Sequence, residues 1–85
     1  MRNDDFEEFK TARREFYTLL YRRFIHKNGP YCDRTDLDLL KERNPLARAA
    51  ILFAQDLHHI KQDRLGGCRL TAQGVIYAEE QGRRE

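Results

Sequence analysis

The sequence has few of the residues that mark several protein classes. It contains two cysteines, two prolines and five glycines, and no run approaches the roughly 20 apolar residues of a membrane-spanning helix. Because two cysteines are too few for a disulfide framework, we expect Cys32 and Cys68 to be small buried apolar groups. The first eight residues are acidic and lack the apolar core of a secretory signal, so a cytoplasmic protein is expected.

The composition is that of a folded domain. Hydrophobic residues make up 40% and charged residues 35% of the 85 residues, which is too apolar for a disordered chain. The length fits one domain over residues 1–85, with a frayed tail at 82–85.

The charge is mildly basic and unevenly distributed. The net charge is +2, with −3 in residues 1–9 and +5 in residues 10–27. Arginine supplies 12 of the 16 cations, and its planar guanidinium suits phosphate, which favours a polyanionic partner. The alternative is an ordinary solvated helix surface.

Residues 3–27 are predicted to form one long helix, which Asn3 or Asp4 caps and Asn28-Gly29-Pro30 stops. Its aromatic and aliphatic residues cover more than the one face that a small domain buries. This surplus predicts a homodimer through the first helix, with a contribution from the last helix; the alternative is that the same residues wrap a compact core. The side chains assigned to the dimer interface are Phe9, Phe16, Tyr17 and Tyr21.

Two shorter helices are predicted next, at about 34–43 and from Pro45 to about His58. Thr35-x-x-Asp38 resembles a capping box for the former. Asn44 can cap the latter, with Pro45 at its first position. A connection this short is typical of helix-turn-helix pairs. The residues expected to face the core are Leu37, Leu39, Leu40, Leu46, Ala50, Phe53, Ala54 and Leu57.

A β-hairpin and a final helix complete the predicted order. The hairpin has a strand at about 59–64, a turn at Leu65-Gly66-Gly67 and a return strand at Cys68-Arg69-Leu70. Thr71 is expected to cap a helix over 72–81. The fold class is therefore mainly α with a small β-hairpin. The last-helix residues expected to pack inward are Val75, Ile76 and Ala78.

The most specific pattern begins at Leu57. Leu57-His58-His59-Ile60-Lys61 is followed by Gly66-Gly67-Cys68-Arg69-Leu70-Thr71-Ala72-Gln73-Gly74-Val75-Ile76-Tyr77. This segment resembles the wing and following helix of winged helix-turn-helix domains, where a Leu-Thr-x-x-Gly signature follows the wing. MarR-type and PadR-type regulators carry similar segments. Leu70 would end the wing strand in the core, Thr71 would cap the helix, and Gly74 would allow close packing at its first turn.

The resemblance, which spans about 31–81, implies a small prokaryotic or phage DNA-binding protein, a transcriptional regulator. The third helix would enter the major groove of duplex DNA, and the wing would contact the backbone or the minor groove. Two copies would bind two half-sites. The residues that this places at DNA, on the third helix, on the wing and near the preceding turn, are Arg48, Gln55, Gln62, Arg64, Arg69, Lys41 and Arg43.

The third helix departs from that pattern. Its outer side offers Ala47, Ile51 and Leu52 where a DNA-reading helix usually carries polar groups, whereas phosphate attraction dominates nucleic-acid affinity. A second hypothesis is therefore a non-catalytic protein–protein interaction module on a winged-helix scaffold. Exposure of Ile51 and Leu52 in an open groove would favour it.

No pattern predicts catalysis, a cofactor or a metal site. The three histidines and two cysteines show no paired ligand spacing, and the adjacent His58 and His59 point in different directions. Asp36 and Asp38 are explained by the electrostatics of a helix start rather than by acid–base chemistry. We expect a non-enzyme with no cofactor, no metal and no membrane partner.

Overall fold

The computed structural model describes residues 3–26 and 32–83, which are mainly helical with one two-stranded antiparallel hairpin, as predicted. The predicted helix stop at 28–30 lies outside the described residues. The predicted tail is wrong at Gly82 and Arg83, since the last helix includes both. The elements are α1 (Asn3–Ile25), α2 (Arg34–Arg43), α3 (Ala47–Asp56), β1 (Ile60–Gln62), β2 (Cys68–Leu70) and α4 (Ala72–Arg83).

Helix α1 is the centre of the core. It packs against α3, β2 and α4, and Ala12, Phe16 and Leu20 are fully buried. Phe16 and Tyr17 are buried within the chain, which corrects their assignment to a dimer interface. Because neighbours cover α1 on more than one side, the surplus aromatic surface is used inside the protein.

Helix α2 begins one residue before the predicted capping box. Asp33 is the N-cap: its backbone is extended, and its side chain accepts a 3.1 Å hydrogen bond from the Asp36 N–H. Thr35 therefore lies inside the helix and is not its cap. Leu37 and Leu40 are buried as predicted, but Leu39 is 56% exposed. Leu39 lies just over half a turn from Leu37, which points it away from the core.

Helix α3 begins at Ala47, later than predicted. The Asn44 side chain accepts a hydrogen bond from the Leu46 N–H at 3.0 Å, and its carbonyl accepts one from the Ala47 N–H at 3.1 Å. Asn44 therefore forms a turn that leads into the helix. Ala50 and Ala54 are buried, as predicted. Ala47 is also fully buried, contrary to its predicted outer position, and Leu57 is 43% exposed rather than inward.

Helix α3 ends at Asp56, before the predicted His58. The His58 N–H donates to the Gln55 carbonyl at 3.0 Å, and the His59 N–H donates to the Ala54 carbonyl at 2.8 Å. His58 has a φ of 58°, in the left-handed region that glycine usually occupies at such helix ends. This termination turns the chain directly into β1.

The hairpin pairs Ile60 with Leu70 and Gln62 with Cys68, so β1 is shorter than the predicted 59–64. Cys68 and Leu70 are buried on one face of β2, as predicted. Asp63, whose role was not predicted, organises the turn at 63–67. Its Oδ1 accepts hydrogen bonds from the backbone N–H groups of Leu65 and Gly67 at 2.9 and 2.8 Å.

A single residue before α2 extends this sheet, which the sequence did not predict. The Cys32 N–H donates to the Cys68 carbonyl at 2.8 Å, and the Cys68 N–H donates back to the Cys32 carbonyl at 2.9 Å. Both cysteines are free thiols and buried, as predicted. The bridge fixes the hairpin to the start of α2.

Thr71 caps α4 as predicted, since its hydroxyl oxygen accepts a 3.2 Å hydrogen bond from the Gly74 N–H. Gly74 is buried against the carbonyl of His59, and a Cβ at this position would overlap that oxygen. Val75 and Ala78 pack against the core, but Ile76 is exposed, contrary to the prediction. The close approach at Gly74 sets the position of α4 relative to β1.

Candidate functional site

The predicted DNA-contacting residues lie mainly on α3 and the hairpin, two elements that contact each other through β1. We call the exposed side chains of α3, β1, the 63–67 turn and β2 the α3–hairpin surface. Its α3 part is a stripe at helical spacing, with Arg48 and Leu52 exposed and Gln55 partly buried. This stripe offers one guanidinium, one apolar side chain and one amide.

The hairpin part of this surface is dominated by cations. Lys61 and Arg69 are directly opposite each other in the strand register, and both lie on the face away from the buried Cys68 and Leu70. The Nη1 of Arg69 donates to the Leu70 carbonyl at 3.3 Å. The register thus holds two positive side chains side by side. Lys61 was not among the predicted residues, although its alternation with the buried Ile60 was the signal that could have identified it.

The hairpin turn adds a further cation. Arg64 is exposed in the turn, and Gln62 is exposed at the end of β1. Asp63 is the one acid of residues 60–70, and its Oδ1 is occupied by two backbone N–H groups. The hairpin therefore carries a net charge of +2 (Lys61, Arg64 and Arg69 against Asp63).

The two remaining candidates, Lys41 and Arg43, are held by acids of the chain. The Nζ of Lys41 lies 4.0 Å from Oδ1 of Asp38, and the Nε of Arg43 lies 3.8 Å from Oε2 of Glu15. Any phosphate would therefore compete with these carboxylates for Lys41 and Arg43.

Leucines interrupt the polar character of the α3–hairpin surface. Leu52 is 59% exposed at the centre of the α3 stripe, and Leu65 is exposed in the turn. Ile51 is only partly exposed and packs against the core. The feature that would favour a protein partner is therefore present at Leu52 and not at Ile51.

An aromatic cluster lies where α1, β1 and α4 meet. The Tyr17 hydroxyl is 2.7 Å from Nδ1 of His59, and the Tyr77 ring centroid lies 4.8 Å from that of Tyr17 and 4.9 Å from that of His59. Burial lowers the pKa of His59 and raises the pKa of Tyr17. A neutral histidine bonded to a tyrosine is a structural contact here. Sequence reasoning missed both His59 and Tyr77, because only the tertiary packing brings them together.

A second surface feature is the groove between α1 and α4, with a volume of about 620 Å³, which we call the α1–α4 groove. Tyr21, one of the predicted interface residues, lines it and donates a 2.9 Å hydrogen bond to Oε2 of Glu79. Phe9, another, packs edge-on against Phe53. The cations that line the groove are Lys10, Arg13, Arg14, Arg22 and Arg83.

Residues 3–26 and 32–83 contain no group of three His, Cys, Asp or Glu side chains that could hold a metal ion. Within the same ranges, no helix has both the length and the apolar character needed to cross a membrane. Comparisons with known protein families, with curated proteins and with solved structures found no match to this chain.

Proposed function

We propose that this protein is a winged helix-turn-helix transcriptional regulator that binds duplex DNA with α3 and the hairpin. The element order supports this proposal. A long helix is followed by two helices joined by a tight turn, a hairpin and a last helix, which is the order that the sequence predicts. In this arrangement α3 reads base edges, and the hairpin is the wing.

The observation that carries the proposal is the cross-strand pair of Lys61 and Arg69. Because the two side chains lie on the same face of the hairpin, both can donate to the oxygens of one phosphate, which gives two charge-assisted contacts. With Arg64 in the turn, the hairpin presents three cations for backbone contacts, which position a protein on DNA without reading its sequence.

Helix α3 supplies the groups that can read bases. Arg48 can donate both arms of its guanidinium to a guanine, and the Gln55 amide can pair with an adenine. They lie two turns apart on one side of the helix, separated by Leu52, which suits apolar contact with a thymine methyl. Specificity is therefore assigned to α3, and salt-dependent affinity to the hairpin.

The test is fluorescence anisotropy with a labelled random duplex at about 50 mM and about 200 mM salt. We expect binding at the lower salt and a steep loss at the higher salt, since released counterions dominate such affinity. No binding at the lower salt would overturn the proposal.

The site assignment is tested with Lys61→Ala/Arg69→Ala. We expect affinity to fall about tenfold or more at low salt, and the salt slope to fall by about one for each lost phosphate contact. Lys61→Arg/Arg69→Lys is the matched control, because it exchanges the same two side chains and keeps both positive charges for the phosphate contacts. Equal effects of the two changes would contradict the assignment. Arg48→Ala should also weaken binding.

The exposure of Leu52 favours a second candidate, a protein-interaction module that uses the same α3 face. Leu52→Ser separates the two functions. It should change DNA affinity little if phosphate contacts dominate, but it should abolish capture of a protein partner that inserts Leu52 into a pocket.

We further propose that the regulator acts as a homodimer. Two copies would present two α3 helices to half-sites about 34 Å apart, and the linked contacts would raise the affinity of a small domain.

A further inference from the structure

The α1–α4 groove lies along one face of α1 that continues to the start of the helix. Lys10, Arg14 and Tyr21 line the groove. Glu7, Arg14 and Tyr21 follow one another at intervals of seven residues, which is about two helical turns. They therefore lie on the same face of α1. Phe6 is four residues before Lys10 and lies on the same face. One continuous surface therefore begins acidic and apolar and becomes basic and aromatic.

The start of α1 projects beyond its packing partners. Residues 4–8 are all exposed, and Phe6 is 56% exposed. Within the described residues, the first ring contact of α1 with another element is that of Phe9 with Phe53, at a centroid distance of 5.9 Å. An exposed phenylalanine beside carboxylates is the kind of anchor that an interface buries.

The groove has the complementary character. Among residues 3–26 and 32–83, five cations line it against a single acid, Glu79, whose carboxylate already accepts a hydrogen bond from the Tyr21 hydroxyl. Tyr21 and Tyr77, both partly exposed, supply aromatic surface between them. The Arg13 guanidinium lies 4.8 and 4.9 Å from the ring centroids of Phe9 and Phe53, which holds this cation at the groove wall. An acidic helix with an aromatic anchor fits this lining.

We propose that the α1–α4 groove is occupied by the start of α1 from a second copy of this chain, and that the two α1 helices pair antiparallel. The Glu7 carboxylate of each copy then pairs with the Arg14 guanidinium of the other, and each Phe6 packs into the other copy's groove beside Arg14. The proposal rests on the homodimer of the proposed function, of which it specifies the interface, and does not depend on DNA binding.

The symmetry of the sequence selects a second copy over other acidic partners. When the two-fold axis of an antiparallel pair passes between residues 10 and 11, residue 7 of one helix lies opposite residue 14 of the other. Residue 6 then lies opposite residue 15, within one turn of Arg14 and Thr18. In this register residues 3–9, which carry −4, lie opposite residues 12–18, which carry +1, and the match is the same at both ends. A two-fold interface must be self-complementary, and the pairing of Glu7 with Arg14 is.

The test is sedimentation velocity of the full chain without DNA, on Glu7→Arg and Arg14→Glu separately and as an equimolar mixture. Each variant alone faces like charges at both symmetric contacts, and we expect its dimer to dissociate about tenfold more readily than the wild type. Far-ultraviolet circular dichroism checks that each variant is folded.

The mixture restores both contacts. The arginine introduced at position 7 of one variant faces the glutamate introduced at position 14 of the other. The native Arg14 of the first variant faces the native Glu7 of the second. A heterodimer should therefore form with nearly wild-type affinity.

Glu8→Arg is the matched control, since it makes the same charge change one residue further along, where the side chain lies off the groove face. It should leave the dimer unchanged. A monomeric wild type, an equal effect of Glu8→Arg, or a mixture that stays monomeric would each overturn the proposal. A monomer that still binds duplex would leave the DNA-binding function standing, whereas a dimer that binds no duplex would leave this interface standing.

Discussion

His59 is a titratable side chain that the fold keeps neutral. Burial lowers its pKa in the folded protein, and its Nδ1 is bonded to the Tyr17 hydroxyl. The unfolded chain binds a proton at this histidine more readily than the folded protein does. The stability that the neutral His59 contributes is therefore complete above the unfolded pKa of about 6.5. That contribution is lost as the pH falls from there toward the lower folded pKa.

We therefore expect the melting temperature to fall between about pH 7.5 and about pH 5.5. His59→Gln keeps a hydrogen-bonding group for Tyr17 but does not titrate, so it should reduce this dependence. Differential scanning calorimetry of both proteins measures the effect. Identical pH slopes in the two proteins would contradict the role of His59.

The two cysteines are expected to be chemically inert in the folded state. Burial raises the pKa of Cys32 to about 12 and the pKa of Cys68 to about 11, with Asp36 and Asp63 respectively adding to the effect. Thiolate is the reactive form, so an aromatic disulfide reagent at about pH 8 should label neither thiol until denaturant is added. Rapid labelling of the native protein, followed by absorbance, would contradict this.

At the scale of the elements, α4 contains two glycines that differ in how closely other atoms approach them. Gly74 has no space for a Cβ because of the His59 carbonyl, whereas Gly82 has nothing within 4 Å. We expect Gly74→Ala to lower the free energy of unfolding by about 1–3 kcal/mol through overpacking. Gly82→Ala should raise it by about 0.5–1 kcal/mol, because alanine is the better helix former.

Urea denaturation of the two glycine variants measures both changes. They make the same chemical substitution in the same helix, so helix propensity alone predicts the same sign. Opposite signs are the expected result, and a stabilised Gly74→Ala protein would contradict the close contact with the His59 carbonyl.

Local chemistry made most of the elements predictable. Asn44 and Pro45 mark the break before α3, Thr71 caps α4, and Gly66 lies in the predicted hairpin turn, where its φ is 88°. The buried face of each helix was harder to predict. The predicted α3 phase missed Ala47 and Leu57, because an alanine-rich helix gives little hydrophobic contrast and its neighbours decide which side is covered.

At the scale of the whole molecule, the sequence could not place residues that meet only through tertiary packing. The Cys32 bridge to Cys68 and the Tyr21 contact with Glu79 join positions separated by 36 and 58 residues. Neither leaves a periodic signal. The same holds for the α1–α4 groove, whose two walls come from opposite ends of the chain. On the hairpin, where the strand register follows from local alternation, the exposed side of Arg69 was predictable and that of Lys61 could have been.

The two-way backbone bond between Cys32 and Cys68 has a mechanical consequence. It ties the return strand to the residue just before α2, while α3 contacts β1 directly. The ribbon is therefore clamped where β2 leaves the turn, and the backbone of Lys61 and Arg69 is fixed relative to that of Arg48. If α3 and the hairpin bind DNA as proposed, the duplex meets them as one rigid unit.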